Sequence, residues 1–112
     1  CPMSILVENG HGENSDEIVK EIIGMGLFPH ECCENEIPLG VCIYNADLHF
    51  FVISGELEIE ADGFPISAHS GAYVHISAGT AHQLIPYENA RIYVGGYTKH
   101  KAASMSAYVS DA

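Results

Sequence analysis

The sequence predicts a mainly β domain, a sandwich or small barrel of short strands, with one short amphipathic helix near its N-terminus. Three observations predict it. From about Leu39 onward apolar and polar residues alternate with a period of two, as they do along half-buried strands. Gly, Pro, Asn and Asp interrupt that region every few residues, which fits many short strands joined by turns. Before it, Ile18, Val19, Ile22 and Ile23 recur at helical spacing instead.

The helix opens on Asn14-Ser15-Asp16-Glu17, a capping-box pattern: the Asn14 side chain accepts from a first-turn N–H, and Glu17 reaches back. Glu17, Lys20 and Glu21 fall on the polar face, and Gly24 and Gly26 end the element, so a helix is predicted over about 14–25. Its apolar stripe must pack on the sheet.

Strands are expected at Val41 to Tyr44, His49 to Ile53, Glu56 to Asp62, Phe64 to Ala68, Ala72 to Ile76, His82 to Ile85 and Arg91 to Tyr97. The third is the clearest: Leu57, Ile59 and Ala61 point one way, while Glu56, Glu58, Glu60 and Asp62 point to water. Those acids read as one solvated face, without the loop geometry of a calcium site. Asp62-Gly63 reads as a hairpin turn and Ser54-Gly55 as a bend. The whole chain, 1–112, reads as a single domain, with a barrel over about 28–98 and a tail from 99 that either frays or crosses to a partner. Met3 reads as the native start, with Cys1 and Pro2 preceding it from a vector; the rival reading is a processed N-terminus.

Four Lys and Arg against fifteen Asp and Glu give a net charge of −11, which repels phosphate backbones and anionic membrane surfaces. Nucleic acid and membrane are therefore not expected as partners. The apolar runs are too short to span a bilayer, and no signal-peptide pattern is present. Cys1, Cys32, Cys33 and Cys42 lack the paired spacing of a disulfide framework or zinc knuckle, so reduced thiols and a cytoplasmic location are expected. His30, Glu31, Cys32 and Cys33 read as a surface loop, and His11, His69 and His100 as exposed.

Two stretches carry more than fold. Residues 50–63 read FFVISGELEIEADG: a strand, a glycine, an acidic amphipathic strand and a turn. Residues 71–84 read GAYVHISAGTAHQL, placing Gly71, Gly79 and His82 at fixed intervals. Together they resemble the two motifs of the cupin family, with Ser77 where a proline is usual. The resemblance implies a small antiparallel jelly-roll β-barrel with the helix outside it. It also implies a divalent transition metal, held in that family by two histidines and a glutamate of the first motif and the histidine of the second. Here Leu48 stands where the glutamate is expected and Cys42 and Tyr44 near the histidine pair, so only His82 survives.

Two readings stay open. In one the metal is gone, and the expected ligand pocket comprises Cys42, Tyr44, Leu48, Phe50, Tyr73, His75 and His82. In the other a bulge near Asn45-Ala46-Asp47 turns His49 inward, and Cys42, His49 and His82, with Asp47 or His75, rebuild a metal site. Regular alternation opposes the second, since it puts His49 with Phe51 and Ile53, opposite Leu48, Phe50 and Val52. His75 shares a face with Tyr73, interior or exterior. Each residue also has a plainer reading: His82 as a loop hydrogen-bonder, Tyr44 as core, Cys42 as a small buried hydrophobe.

The expected function is small-molecule binding without a metal cofactor, extended to acid–base isomerisation if His82 and Tyr44 exchange protons with the ligand. The alternatives are a metal-dependent dioxygenase, lyase or isomerase, and a non-catalytic dimerising barrel. A homodimer is expected because the His49, Phe51, Ile53 stripe needs cover from the helix or from a second subunit.

Overall fold

A computed structural model describes residues 5–37, 40–61, 63–87 and 89–97. The start at Met3, Asp62 of the expected turn, His100 and the tail lie outside these residues.

The chain runs β1 (Ile5–Glu8), α1 (Ser15–Gly24), β2 (Phe28–Cys33), one 3-10 turn (Glu34–Glu36), β3 (Val41–Ile43), β4 (Leu48–Ser54), β5 (Glu56–Ala61), β6 (Phe64–His69), β7 (Tyr73–Ile76), β8 (Ala81–Pro86) and β9 (Arg91–Gly96). The strands form two sheets, ordered β1-β7-β4-β9-β2 and β3-β8-β5-β6. Every neighbouring pair is antiparallel. This is the mainly β, two-sheet architecture with one helix that the alternation predicts.

The core lies between the sheets. Leu48, Phe50 and Val52 of β4 meet Leu57 and Ile59 of β5, Val74 and Ile76 of β7, Leu84 of β8 and Ile92 and Val94 of β9, all buried. The intervening residues of β4 point to the other side, where helix α1 lies. There Ile18, Ile22 and Leu27 bury Phe51, with Tyr73 and Tyr93 at the margin. Full burial of a side chain such as Ile18 or Ile22 contributes about 1.5–3 kcal/mol. The cover for Phe51 thus comes from the same chain, so that residue gives no reason for a second subunit. The Asn14 side chain accepts from the N–H groups of Asp16 (2.9 Å) and Glu17 (3.2 Å), fixing the helix start.

Two glycines sit in close contact, Gly55 against backbone that cannot give way and Gly95 against side chains that can. A Cβ on Gly55 would lie 2.7 Å from the Asn89 carbonyl oxygen and 2.9 Å from Ala90 Cα, and its φ of +72° is left-handed. This is the corner between β4 and β5. A Cβ on Gly95 would lie 2.9 Å from Leu27 Cδ1, so the absent side chain lets the end of α1 settle on β9.

Two strands depart from the sequence reading. Residues 28–33, expected to include a surface loop, form β2 and pair with β9 along their length, from Phe28 opposite Gly96 to Cys33 opposite Arg91. Pro29, His30 and Glu31 are poor strand formers; the pairing with β9 overrides that preference. Burial, then the nearby Glu36, pushes the Cys32 thiol up to about 11, so it is an inert core group. The short run Ile5–Glu8 pairs with β7 as β1.

Candidate functional site

His82 is set by the turn before β8. The Gly79 N–H donates to the Tyr44 carbonyl (2.9 Å), and the chain then enters β8 with His82 directly opposite Cys42 of β3. Its side chain points into the barrel interior, 2% exposed, and is the one buried polar or charged side chain among the described residues. The Tyr44 ring meets it edge to face, with centroids 4.8 Å apart and planes at 84°. Nδ1–H donates to the Thr80 carbonyl at 2.9 Å. Because a carbonyl only accepts, this bond assigns the proton to Nδ1 and leaves Nε2 with a bare lone pair in the neutral ring. That nitrogen is buried without a hydrogen-bond partner among the described residues. Burial holds the imidazole below its ordinary pKa, opposed in part by the Thr80 bond, so the neutral form prevails at pH 7.

The surrounding positions do not rebuild the family's metal tetrad. Leu48, fully buried, offers no donor atom where a carboxylate would be needed. Cys42 is half-buried, its thiol directed to the Gly40 carbonyl (3.8 Å), and Tyr44 is core. One imidazole beside a thiol and a phenol lacks the histidine and carboxylate set that borderline divalent ions take. Phe50 is buried in the same core, and no pocket opens among the described residues.

His49, Tyr73 and His75 lie elsewhere. They occupy the outer face of the five-stranded sheet beside α1, with the sheet between them and the interior. The expected pocket is therefore divided: Cys42, Tyr44, Leu48, Phe50 and His82 face inward, whereas Tyr73 and His75 face outward. The rebuilt metal set is divided too, because β4 keeps regular alternation through His49 and no bulge turns it inward. The structure instead brings His49 and His75 together. They are direct partners across β4 and β7, and their rings stack with centroids 4.5 Å apart and planes at 6°. Asp47, in the turn before β4, accepts from the Ala78 N–H (2.8 Å) through Oδ1 and from His75 Nε2–H (3.2 Å) through Oδ2. The Ala78 bond foremost, then His75, holds its carboxyl below the usual range. His49 Nδ1 is hydrogen-bonded to the Tyr73 hydroxyl at 2.7 Å, and Nε2 lies 3.4 Å from the Tyr97 hydroxyl. Burial, then the charge of His75, holds His49 below its ordinary pKa against the pull of Asp47. Burial pushes the Tyr73 phenol up to about 12, so it stays protonated.

Sequence periodicity placed His49 and Phe51 on one face, and His75 and Tyr73 on one face. Which strands adjoin, and in what register, was missing. In the sequence, Asp47 stands only as an auxiliary to an inward-turned His49.

No protein-family model and no curated protein sequence matches the chain. Solved structures do. A DUF861 family protein from Thermotoga maritima is similar with a TM-score of 0.54 at 18% identity, over 80% of this chain and 96% of that one. Acireductone dioxygenase from Bacillus anthracis, with a cadmium ion in its active center, is similar with a TM-score of 0.62 at 14% identity, over 85% and 79%. The Clostridium difficile EutQ protein is similar with a TM-score of 0.50 at 28% identity, over 70% of this chain, which spans 56% of EutQ. All are cupin folds, and this chain has that fold.

Proposed function

We propose that the protein binds a small, neutral, largely apolar molecule in the barrel interior, held by one hydrogen bond donated to His82 Nε2. The supporting observation is the bare, buried lone pair on that nitrogen. An unsatisfied buried polar atom costs about 1–3 kcal/mol, and a ligand hydroxyl or amide N–H removes that penalty on binding. Leu48, Phe50 and Tyr44 supply the apolar surroundings. A cationic ligand is disfavoured, because no buried carboxylate among the described residues would pair with it. No pocket is open among the described residues, so binding requires the barrel to part; β3, a three-residue edge strand paired with β8 alone and carrying Cys42 opposite His82, is the element whose displacement would uncover His82. If the ligand reacts, the neutral imidazole is the base and the Tyr44 hydroxyl the second proton-transfer group, which makes isomerisation the reaction class.

The test is a thermal-shift screen of small neutral alcohols, phenols and amides, with calorimetry of each hit on wild type and His82→Leu. The expected result is a hit whose affinity falls at least tenfold in a variant that keeps its fold. Hits that bind the variant equally well, or a wild type that binds none of these classes, refute the reading.

A further inference from the structure

We propose that Asp47, His49 and His75 form a binding site for one divalent transition metal ion on the outer face of the five-stranded sheet, separate from the barrel interior. The donor set is two imidazoles and a carboxylate, which suits zinc, nickel, cobalt or iron(II). Asp47, His49 and His75 each offer one ligand atom, and these atoms all lie within 4.8 Å of one another. Bonds of about 2.0–2.1 Å at tetrahedral angles space the ligands of zinc about 3.3 Å apart. The Asp47 Oδ2 to His75 Nε2 separation, 3.2 Å, is already close to that value, so an ion takes the place of the proton they share, and the neutral His75 ring carries its one proton on Nδ1 instead.

The backbone holds these groups where they are. Cross-strand pairing fixes the separation of the His49 and His75 Cα atoms, and the Ala78 N–H fixes the carboxylate from the far side. Tyr73 and Ala78 thus engage the second atoms of His49 and Asp47, as outer partners of metal ligands do. With the His49 proton on Nδ1, donated to the Tyr73 oxygen, the Nε2 lone pair faces the Tyr97 hydroxyl at 3.4 Å, a long bond that the ion replaces. One rearrangement is needed. Parallel rings aim their lone pairs side by side, so loading swings the His49 and His75 planes, now 6° apart, into convergence. The torsion concerned, χ2, has a broad, shallow profile. All three residues are half-buried, which leaves coordination positions open to water or an exogenous ligand.

The test is calorimetry of chelator-stripped, untagged protein with zinc chloride, on wild type, His49→Gln, His75→Gln and His69→Gln, a control at an exposed histidine on β6. One ion per chain is expected at micromolar affinity or tighter, weakened at least tenfold by either substitution in the cluster and unchanged in the control. Absence of saturable binding, binding undiminished in both cluster variants, or binding lost in His82→Leu would overturn the proposal. If a cluster variant fails to fold, cobalt(II) added to the wild type decides the matter. Paramagnetic shifts on the His49 and His75 ring protons support the site, and shifts confined to other histidines overturn it.

Discussion

Replacing His82 with leucine separates a functional from a structural role for the buried histidine. Leucine approximates the volume of imidazole and leaves no polar atom behind. The substitution removes the unpaired Nε2, a gain of about 1–3 kcal/mol, and loses the Nδ1–H bond to Thr80, a loss of about 0.5–1.5 kcal/mol. The net lies between near-neutral and about 2.5 kcal/mol of added stability. For a domain near 100 residues each kcal/mol moves the melting temperature by roughly 4–8 °C. Differential scanning calorimetry should therefore find the melting point of His82→Leu unchanged or raised by several degrees, while ligand binding is lost. A core position retained for packing behaves in the opposite way. A fall of more than about 2 kcal/mol would mean that His82 is structural and that its lone pair is not a ligand contact.

Other consequences are checkable on the same preparations. His49 and His82 both have folded pKa values below the ordinary 6.5, so their contribution to stability is complete above pH 6.5 and is lost as the pH falls through that value toward their folded pKa values. The urea midpoint of wild type minus that of His82→Leu should accordingly decline between pH 7.5 and 5; a constant difference contradicts this. Gly55→Ala should destabilise by at least about 2 kcal/mol, since the new methyl strikes backbone atoms at a left-handed position, and a wild-type melting curve would contradict the corner geometry. Ile22→Ala should cost about 2–5 kcal/mol in chemical denaturation by opening a cavity between α1 and the sheet; a cost below about 1 kcal/mol would mean the helix is not docked there.

How far the sequence reveals the molecule follows from which interactions are local. The helix start at Asn14, the corner at Gly55 and the in–out alternation of Glu56–Ala61 are decided by neighbours within a few residues, and each is present, although among the described residues the Asn14 cap forms without the return bond from Glu17. The strand Phe28–Cys33 is different, because Pro29 lacks a ladder donor and Glu31 has low strand preference, and pairing with β9 overrides both. The candidate site divides along the same line. Alternation put His49 opposite Leu48, but it carries no information on which side of β7 faces the core, so Tyr73 and His75 were grouped with an interior they do not reach. The pairing of His49 with His75 joins positions 26 apart, and the Asp47 to Ala78 bond joins positions 31 apart. Neither has a local signal, because two strands of the other sheet, β5 and β6, lie between His49 and His75 in the chain.

The interior reading turns on the protonation of a single nitrogen. Long-range nitrogen–proton correlation spectroscopy on histidine-labelled protein at pH 7.5 reports it, free and in the presence of a hit from the neutral-ligand screen. A neutral His82 with its proton on Nδ1, whose bare Nε2 signal moves to the hydrogen-bonded range when the ligand is added, is the predicted result. A proton found on Nε2 in the free protein, or an Nε2 signal that a saturating ligand leaves unmoved, would contradict the assignment of His82 as the ligand contact.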